Sequence, residues 1–247
     1  MKLKKFHYIY WIKNIFLNPQ LINLANIEPA QLDGFLSLGW FRIQQTIFTT
    51  NYLYFDGQEY DAIWLRVNLD DFTADKNYKK LFTKNGHFRT EIKRAIVTAE
   101  HEQLYNSYKE SISFEGAQSL HSLLYGKSDL NVYNTWMIEI YDGTALIGSG
   151  CFDLGSNSAA GIFSVYDPRY KKFSLGKYMI YEKMLFCKKQ NLTFFYPGYF
   201  APGYPVFDYK LEIGKEALEY FDAEQKKWYS YYNKSDGCFN ALASSQS

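Results

Sequence analysis

Hydrophobic and polar positions alternate along several stretches of this chain of 247 residues, a pattern typical of β-strands. The clearest case lies just past the middle, where Trp136 to Tyr141, an Asp142-Gly143 turn and Ala145 to Phe152 predict a hairpin. The hairpin leads into a third strand over Gly161 to Val165. We therefore expect a three-stranded antiparallel meander in this part of the chain.

A strand–helix–strand unit follows the meander. After a polar loop, the pattern predicts a helix opening near Ser174 and a strand over Leu192 to Tyr196. Serine is a residue type that caps the free amides of a first helical turn, and Gly176 would let a ligand approach the helix closely. Because Lys171 and Lys172 precede this positive helix end, we predict a phosphate or anion site there. An ordinary crossover with no ligand is the alternative.

The N-terminal part of the chain predicts a short helix and several short strands, and two further helices precede the meander. Apolar residues at helical spacing and a proline at the first helical position favour the first helix. The predicted elements are a helix over Glu28 to Leu38, strands over Gly39 to Thr49, Tyr52 to Phe55 and Ala62 to Val67, and helices over Thr98 to Ser111 and Phe114 to Gly126.

The formal net charge of +1 excludes a global basic field, so any contact with nucleic acid must come from a local patch. The candidate patch is the basic run from Lys76 to Arg94. Tyr78, Phe82 and Phe88 interleave it, as aromatic residues do in proteins that bind single-stranded RNA. A solvated surface with no ligand is the alternative. The cations expected to contact phosphates are Lys79, Lys80, Lys84, Arg89, Lys93 and Arg94.

Cysteine and histidine usage argues against a disulfide framework and a metal site. The three cysteines, Cys151, Cys187 and Cys238, are widely spaced, and the four histidines lack ligand spacing. Free thiols fit a reducing compartment, and no apolar run approaches the roughly 20 residues of a membrane helix. We therefore expect a soluble cytoplasmic protein without a metal or other cofactor.

Three segments resemble the aminoacyl-tRNA–protein transferases, the arginyl and leucyl transferases that extend acidic protein N-termini. The segments are SVYDP (164–168), SLGKY (174–178) and FFYPGYFAPGYPVFDYK (194–210). The resemblance implies an α/β fold of the acetyltransferase (GNAT) type, with a mixed sheet flanked by helices and an N-terminal α+β region packed against it. It also implies a division into an N-terminal region (1–97), a catalytic domain (98–240) and a flexible tail (241–247).

The chain departs from the family pattern at two places. Where the transferases have Cys, Lys and Met in the last segment, this chain has Tyr204, Val206 and Phe207. The N-terminal cysteine cluster of the family, expected near Phe55 to Tyr60, is also missing. Acceptor specificity and any metal or redox role of that cluster are therefore not transferred to this chain.

The resemblance implies transfer of an arginyl or leucyl group from tRNA to the N-terminal amine of a protein that starts with an acidic residue, by an enzyme expected to be a monomer. The aminoacyl ester is already activated, so proximity and oxyanion stabilisation suffice, and no nucleophile motif is visible. The expected catalytic residues are Tyr199, Tyr209 and Asp208, where a phenol or carboxylate would take the proton of the amine. The expected substrate-binding residues are Lys210, as a cation for the acidic acceptor, and Tyr166, Ser174, Leu175, Gly176 and Lys177.

The sequence leaves three alternatives open. An acyl-CoA N-acyltransferase of the same fold would use a glycine-rich phosphate loop, of which only Gly176 is present. A non-catalytic homologue would keep only the tRNA-binding surface. For each aromatic site candidate considered alone, the alternative is that its ring only packs in the core.

Overall fold

The computed structural model describes residues 16–17, 19–112, 116–128 and 130–232, and we number the elements in chain order. The strands are β1 Phe16–Leu17, β2 Gln20–Asn23, β3 Phe41–Ile43, β4 Thr46–Thr49, β5 Tyr52–Phe55, β6 Gln58–Asp61, β7 Ile63–Asn68, β8 Arg89–Arg94, β9 Thr135–Asp142, β10 Ala145–Leu154, β11 Ser158–Tyr166, β12 Phe194–Phe200, β13 Leu218–Asp222 and β14 Lys227–Ser230. The α-helices are α1 Pro29–Ser37, α2 Lys76–Asn85, α3 Ala99–Lys109, α4 Leu120–Tyr125 and α5 Leu175–Lys189; 3₁₀ segments span Pro168–Phe173, Pro205–Glu212 and Lys215–Ala217.

An eight-stranded mixed sheet is the centre of the fold. Its strand order is β14-β13-β7-β12-β11-β10-β9-β8, and two three-stranded sheets, β1-β5-β6 and β2-β4-β3, accompany it. Strands β11 and β12 are parallel because α5 crosses between them, whereas the other neighbours in the large sheet are antiparallel. The predicted meander is confirmed as β9 to β11, and the α/β class with a mixed sheet flanked by helices is confirmed as well.

Helix α5 packs along one face of this sheet. Met179, Met184 and Cys187 on the helix are buried, and Met184 and Cys187 share an apolar cluster with Phe152 and Phe195 of the strands. Burying one large apolar side chain stabilises the fold by roughly 1.5–3 kcal/mol. The helix is thereby held rigidly, which fixes the position of its N-terminus relative to the sheet.

A buried polar network ties the N-terminal strands to the opposite face. The Arg42 guanidinium on β3 donates to Asp153 Oδ1 at 2.8 Å and to Thr135 Oγ1 at 2.8 Å, and it lies 4.2 Å from the centre of the Tyr133 ring. Both charged side chains are fully buried. Strand β7 of the same N-terminal stretch pairs with β12 and β13, so the large sheet crosses the predicted domain boundary at residue 97.

Most predicted elements are present with shifted ends. The strand expected over Gly39 to Thr49 is two strands, because Gln44 adopts a left-handed backbone (φ 55°) between them. The helix expected over Phe114 to Gly126 spans only Leu120–Tyr125, capped by Ser119, and residues 113–115 lie outside the described part. The tail predicted over 241–247 also lies outside it.

Candidate active site between two parted strands

Strands β11 and β12 part halfway along their length. They pair only from Ser158↔Phe194 to Ala160↔Tyr196, after which β11 stays with β10 and β12 stays with β7. Two residues after Tyr196 favour this divergence. Pro197 has no amide hydrogen to donate, and Gly198 has φ +95°, a backbone that residues with a Cβ rarely adopt. The sheet therefore opens a gap on the C-terminal side of these pairs.

Lys210 lies beside this gap, on the 3₁₀ segment that follows β12. Its ammonium donates to the carbonyl oxygen of Tyr199 at 2.7 Å, and the residue is 8% exposed. The Nζ atom lies 4.9 Å from the ring centre of Phe207, 5.0 Å from that of Tyr199 and 6.0 Å from that of Tyr209. Within the described residues, no carboxylate forms an ion pair with Lys210. Burial lowers the pKa of Lys210 to about 7.

The phenols around Lys210 are held in their neutral form. Burial raises the pKa of Tyr199, and the neighbouring Tyr209 and Tyr204 raise it further. Burial likewise raises the pKa of Tyr209, and Tyr108 and Tyr166 add to the shift. A neutral phenol donates a hydrogen bond but takes up no proton. The expected role of these tyrosines as proton acceptors is therefore not supported, whereas a role as hydrogen-bond donors is.

Tyr209 connects the two sides of the gap. It follows β12, yet Tyr108 of α3 and Tyr166 at the end of β11 both help to raise its pKa. The rings of Tyr108 and Tyr166 lie 5.5 Å apart. Asp208, the third residue predicted to be catalytic, is exposed and acts on Tyr231 instead. The structure thus brings Tyr166, Tyr199, Tyr209 and Lys210 together around the gap. Among the described residues, Asp208 forms no ion pair with Lys210.

A second concave feature lies at the start of α5. A cavity of about 190 Å³ is lined by three lysines, Lys80 and Lys84 of α2 and Lys177 of α5, together with Ser174 and Glu212. Lys80 and Lys84 share one face of α2 because they are four residues apart. Among the described residues, the Lys80 ammonium has no ion-pair or hydrogen-bond partner, whereas Lys84 donates to the carbonyl of Lys172 and Lys177 pairs with Glu212. Two residue sets that were predicted separately therefore meet in one cationic cavity.

The start of α5 differs from the prediction in one respect. Ser174 is the residue that precedes the helix, but it has a left-handed backbone (φ 54°, ψ 43°) and its side chain makes no capping hydrogen bond. The predicted capping role of Ser174 is therefore wrong, and the hydroxyl lines the cavity instead. Leu175 is buried in the core. A Cβ at Gly176 would meet only a ring carbon of Tyr166 at 3.8 Å, so packing does not require glycine there.

The rest of the basic run lies elsewhere and is partly engaged. On β8, Arg89 pairs with Glu91, and Lys93 pairs with Glu139 at 2.7 Å. Arg94 bonds to the side chain of Asn134, and Lys79 is exposed outside the cavity. The predicted cationic patch is thus divided between the α2 face and the edge strand β8.

The aromatic residues within the basic run belong to the core. Phe88 is buried against Phe173 with ring centres 5.0 Å apart, and Phe82 packs edge-on against Tyr178 at 5.0 Å. Tyr78 stacks on Phe82 at 4.3 Å. The expectation that these rings stack on RNA bases is therefore wrong for Phe88, since core packing already covers it, and Tyr78 and Phe82 anchor α2 to α5.

Known proteins similar to this chain are aminoacyl-tRNA–protein transferases. A family model described as "Arginine-tRNA-protein transferase, C terminus" matches residues 100–219, which include both sides of the gap and the start of α5. A curated aspartate/glutamate leucyltransferase from Leptospira interrogans is 35% identical over 159 residues, 61% of this chain and 60% of the relative. Over about half of its length, the chain is therefore similar to the aminoacyl-tRNA–protein transferases. Another aspartate/glutamate leucyltransferase, from Helicobacter hepaticus, is 26% identical over 81% of this chain and 86% of the relative.

The matched segment spans 60% of the length of the Leptospira relatives. Among solved structures, FemX aligns over 76% of this chain and 65% of its own, with 10% identity and a TM-score of 0.45. The C-terminal domain of a putative lysylphosphatidylglycerol synthetase from Agrobacterium fabrum aligns over 57% and 47%, with 9% identity and a TM-score of 0.45. No helix in the described part of the chain has both the length and the apolar character needed to cross a membrane.

One buried lysine, Lys183, was not predicted from the sequence. Lys183 of α5 is fully buried and donates to the carbonyl oxygens of Phe163 at 2.9 Å and Cys151 at 3.2 Å and to Ser164 Oγ at 3.0 Å. These acceptors flank the bulge where the β10–β11 register shifts. Lys183 therefore braces the strand that borders the gap. A lysine in the middle of a mostly apolar helix was the available signal.

Proposed function

We propose that this protein transfers an aminoacyl group from aminoacyl-tRNA to the N-terminal amine of a protein. The family match over residues 100–219 is the observation that carries the proposal. The matched segment contains strands β11 and β12, which part to leave a gap between them, and the start of α5. A gap lined by neutral phenols beside a cationic cavity suits a donor that ends in a ribose ester and is held by its phosphates.

The cavity at the start of α5 is the proposed site for a phosphate of the tRNA acceptor end. Lys80, Lys84 and Lys177 supply charge, and the helix N-terminus supplies free amides and a positive dipole end. An apolar cavity of about 150 Å³ holds a benzene molecule, so one of about 190 Å³ has room for a phosphate group. Lys79, Arg89, Lys93 and Arg94 would add long-range attraction for the rest of the tRNA.

The gap between β11 and β12 is the proposed site of transfer. The ester of aminoacyl-tRNA needs orientation and stabilisation of the oxyanion rather than a protein nucleophile. Tyr199 and Tyr209, which stay protonated, would donate hydrogen bonds toward the oxyanion, and Tyr166 and Gly176 would position the aminoacyl end. Leu175 supports the helix start from the core, and Asp208 remains a predicted catalytic residue.

We propose leucine as the transferred residue and Asp or Glu as the first residue of the acceptor. The support is that the curated relatives from Leptospira interrogans and Helicobacter hepaticus are both named aspartate/glutamate leucyltransferase. Arginyl transfer is the alternative, because the matching family model is described by arginine.

The test is incubation of the purified protein with leucyl- or arginyl-tRNA and peptides that start with Asp, Glu or Ala, with the products read by mass spectrometry. A peptide extended by leucine only when Asp or Glu is first is the expected result. Extension from an acyl-CoA but not from any charged tRNA would overturn the proposal in favour of acyl-CoA transfer. tRNA binding without any extension would identify a non-catalytic homologue.

A further inference from the structure

The transfer proposed above, on which this inference rests, requires a proton acceptor. The N-terminal amine of a peptide has a pKa near 8, so it arrives mostly as an ammonium, which has no free electron pair for attack on an ester. A side chain must therefore take up one proton at the gap. Sequence reasoning assigned this task to a phenol or to Asp208.

Neither of those groups suits the task. Tyr199 and Tyr209 have raised pKa values because burial disfavours the phenolate, so both already hold their protons. Asp208 is exposed, its charge acts on Tyr231, and among the described residues it forms no ion pair with Lys210. Among the described residues that the structure brings together around the gap, Lys210, one residue after Tyr209, is the group that is not a phenol.

The surroundings of Lys210 differ from those of a lysine that binds a carboxylate. Among the described residues, its Nζ makes one hydrogen bond, to the Tyr199 carbonyl at 2.7 Å, and is otherwise surrounded by the rings of Phe207, Tyr199 and Tyr209. That carbonyl lies three residues past Tyr196, the last residue of β12 that pairs with β11. A Cβ at Gly198 would lie 3.4 Å from Nζ, so the glycine keeps the strand backbone clear beside the amine.

We propose that Lys210 is the general base of the transfer, accepting a proton from the α-ammonium of the acceptor peptide in the gap between β11 and β12. The lysine nitrogen takes one proton from the ammonium, which leaves a neutral amine. The amine then attacks the ester carbonyl and forms a carbon–nitrogen bond. As the carbon–oxygen bond to the ribose breaks, the ribose oxygen takes a second proton from the attacking nitrogen, and Lys210 later releases its proton to water.

The environment of Lys210 fits both stages of this cycle. Burial lowers the pKa of Lys210 to about 7, so a large share of the side chain is an uncharged amine at neutral pH. The titratable groups that face it are the phenols of Tyr199 and Tyr209, which are neutral, and burial is the cause of the shift. Once Lys210 has taken the proton, the three ring faces and the carbonyl stabilise the ammonium.

The experiment is single-turnover transfer from charged tRNA to saturating Asp- and Ala-initiated peptides between about pH 5.5 and 8, a range that spans the ordinary pKa of the acceptor amine. Wild type, Lys210→Arg and Lys210→Met are compared, with tRNA affinity and a thermal melt for each. Arginine keeps the charge but cannot act as a base, and methionine keeps the length without charge. We expect the wild-type rate to rise with pH through about 7, and both variants to lose about 10²- to 10⁴-fold in rate with unchanged tRNA affinity.

The same data separate this role from carboxylate binding and from failure of the function itself. A lysine that binds the acidic acceptor would be replaced well by arginine, and its loss would raise the KM for the Asp peptide but not for the Ala peptide. That result, or a pH profile unchanged in Lys210→Met, would overturn the proposal. If the wild type transfers nothing from any charged tRNA, the proposed function fails instead. Should Lys210→Arg not fold, the Lys210→Met profile decides alone.

Discussion

Removing the Lys80 ammonium tests whether the cavity at the start of α5 holds a phosphate. Lys80 is the cleanest lysine to change, because its ammonium has no ion pair or hydrogen bond within the described residues. Changing Lys84 would also release the Lys172 carbonyl, and changing Lys177 would leave Glu212 unpaired. Lys79 is the matched control, since it is exposed on the same helix but does not line the cavity.

The expected magnitude follows from one lost contact between a cation and a phosphate. A hydrogen bond to a charged group contributes about 1.5–3 kcal/mol, and the lower end applies because Lys80 is exposed. Lys80→Ala should therefore raise the Kd for tRNA about tenfold. The logarithm of the binding constant should also fall less steeply with the logarithm of salt concentration, by about 0.7 in slope for one single-stranded phosphate.

The assay is titration of labelled tRNA with each variant between about 50 and 200 mM salt, the range over which phosphate contacts dominate. Lys79→Ala removes the same charge from the same helix, so it should change the Kd only slightly. If both variants weaken binding equally, α2 contributes only a diffuse field, and the phosphate site at the cavity is refuted.

Three further predictions follow from individual contacts. The Gly176→Ala variant should melt at the same temperature as the wild type or at a higher one, because alanine favours a helix over glycine by about 1 kcal/mol. It should nevertheless raise the KM for charged tRNA, because the added methyl group occupies the space through which the donor approaches the helix start. Asp153→Ala should cost about 3–5 kcal/mol in urea unfolding, since it leaves Arg42 buried without its partner. Burial alone would raise the pKa of Glu139, but hydrogen bonds from Lys93 and Tyr141 and nearby charges lower it below the ordinary value of 4.5. Glu139 therefore stabilises the folded state above a pH of 4.5, and this stabilisation is lost as the pH falls further. Urea unfolding from pH 7 downward should thus show a loss of stability below that value that Glu139→Gln lacks.

Local patterns predict the meander and α5 well because alternation and helical spacing are properties of the sequence alone. The meander strands correspond to the predicted hairpin and third strand, and the helix begins one residue after Ser174. The predicted capping role of Ser174 is wrong because this residue, at the end of the preceding 3₁₀ segment, has a left-handed backbone and its side chain makes no capping hydrogen bond. A serine in the sequence does not indicate that backbone conformation. Phe88 was misjudged because an aromatic residue has the same pattern whether it packs in a core or stacks on a base.

The chemistry of the site depends on contacts between distant residues, which explains what sequence reasoning missed. Lys80 and Lys177 are far apart in the chain and meet only because α2 packs on α5 through aromatic rings. The ionisation of Lys210 depends on the side chains that surround it in the fold. The sequence shows only a lysine after a tyrosine, and this is the same whether the lysine is charged or neutral. The spacing of the motif identified the segment 194–210, but the role proposed for its last residue, Lys210, could be inferred only from the fold.

An aromatic cluster couples the N-terminal hairpin to the candidate site. The rings of Phe55 and Tyr204 stack with centres 4.6 Å apart, Tyr60 lies 5.3 Å from Tyr204, and Phe207 touches both Tyr204 and Tyr199. The family resemblance places a cysteine at Tyr204, a methionine at Phe207 and a cysteine pair near Phe55 to Tyr60. In this chain, ring packing connects β5 and β6 to the segment that ends at Lys210. Because Phe207 also lies over the Lys210 ammonium, the same cluster that joins the two regions sets the apolar environment of the proposed base.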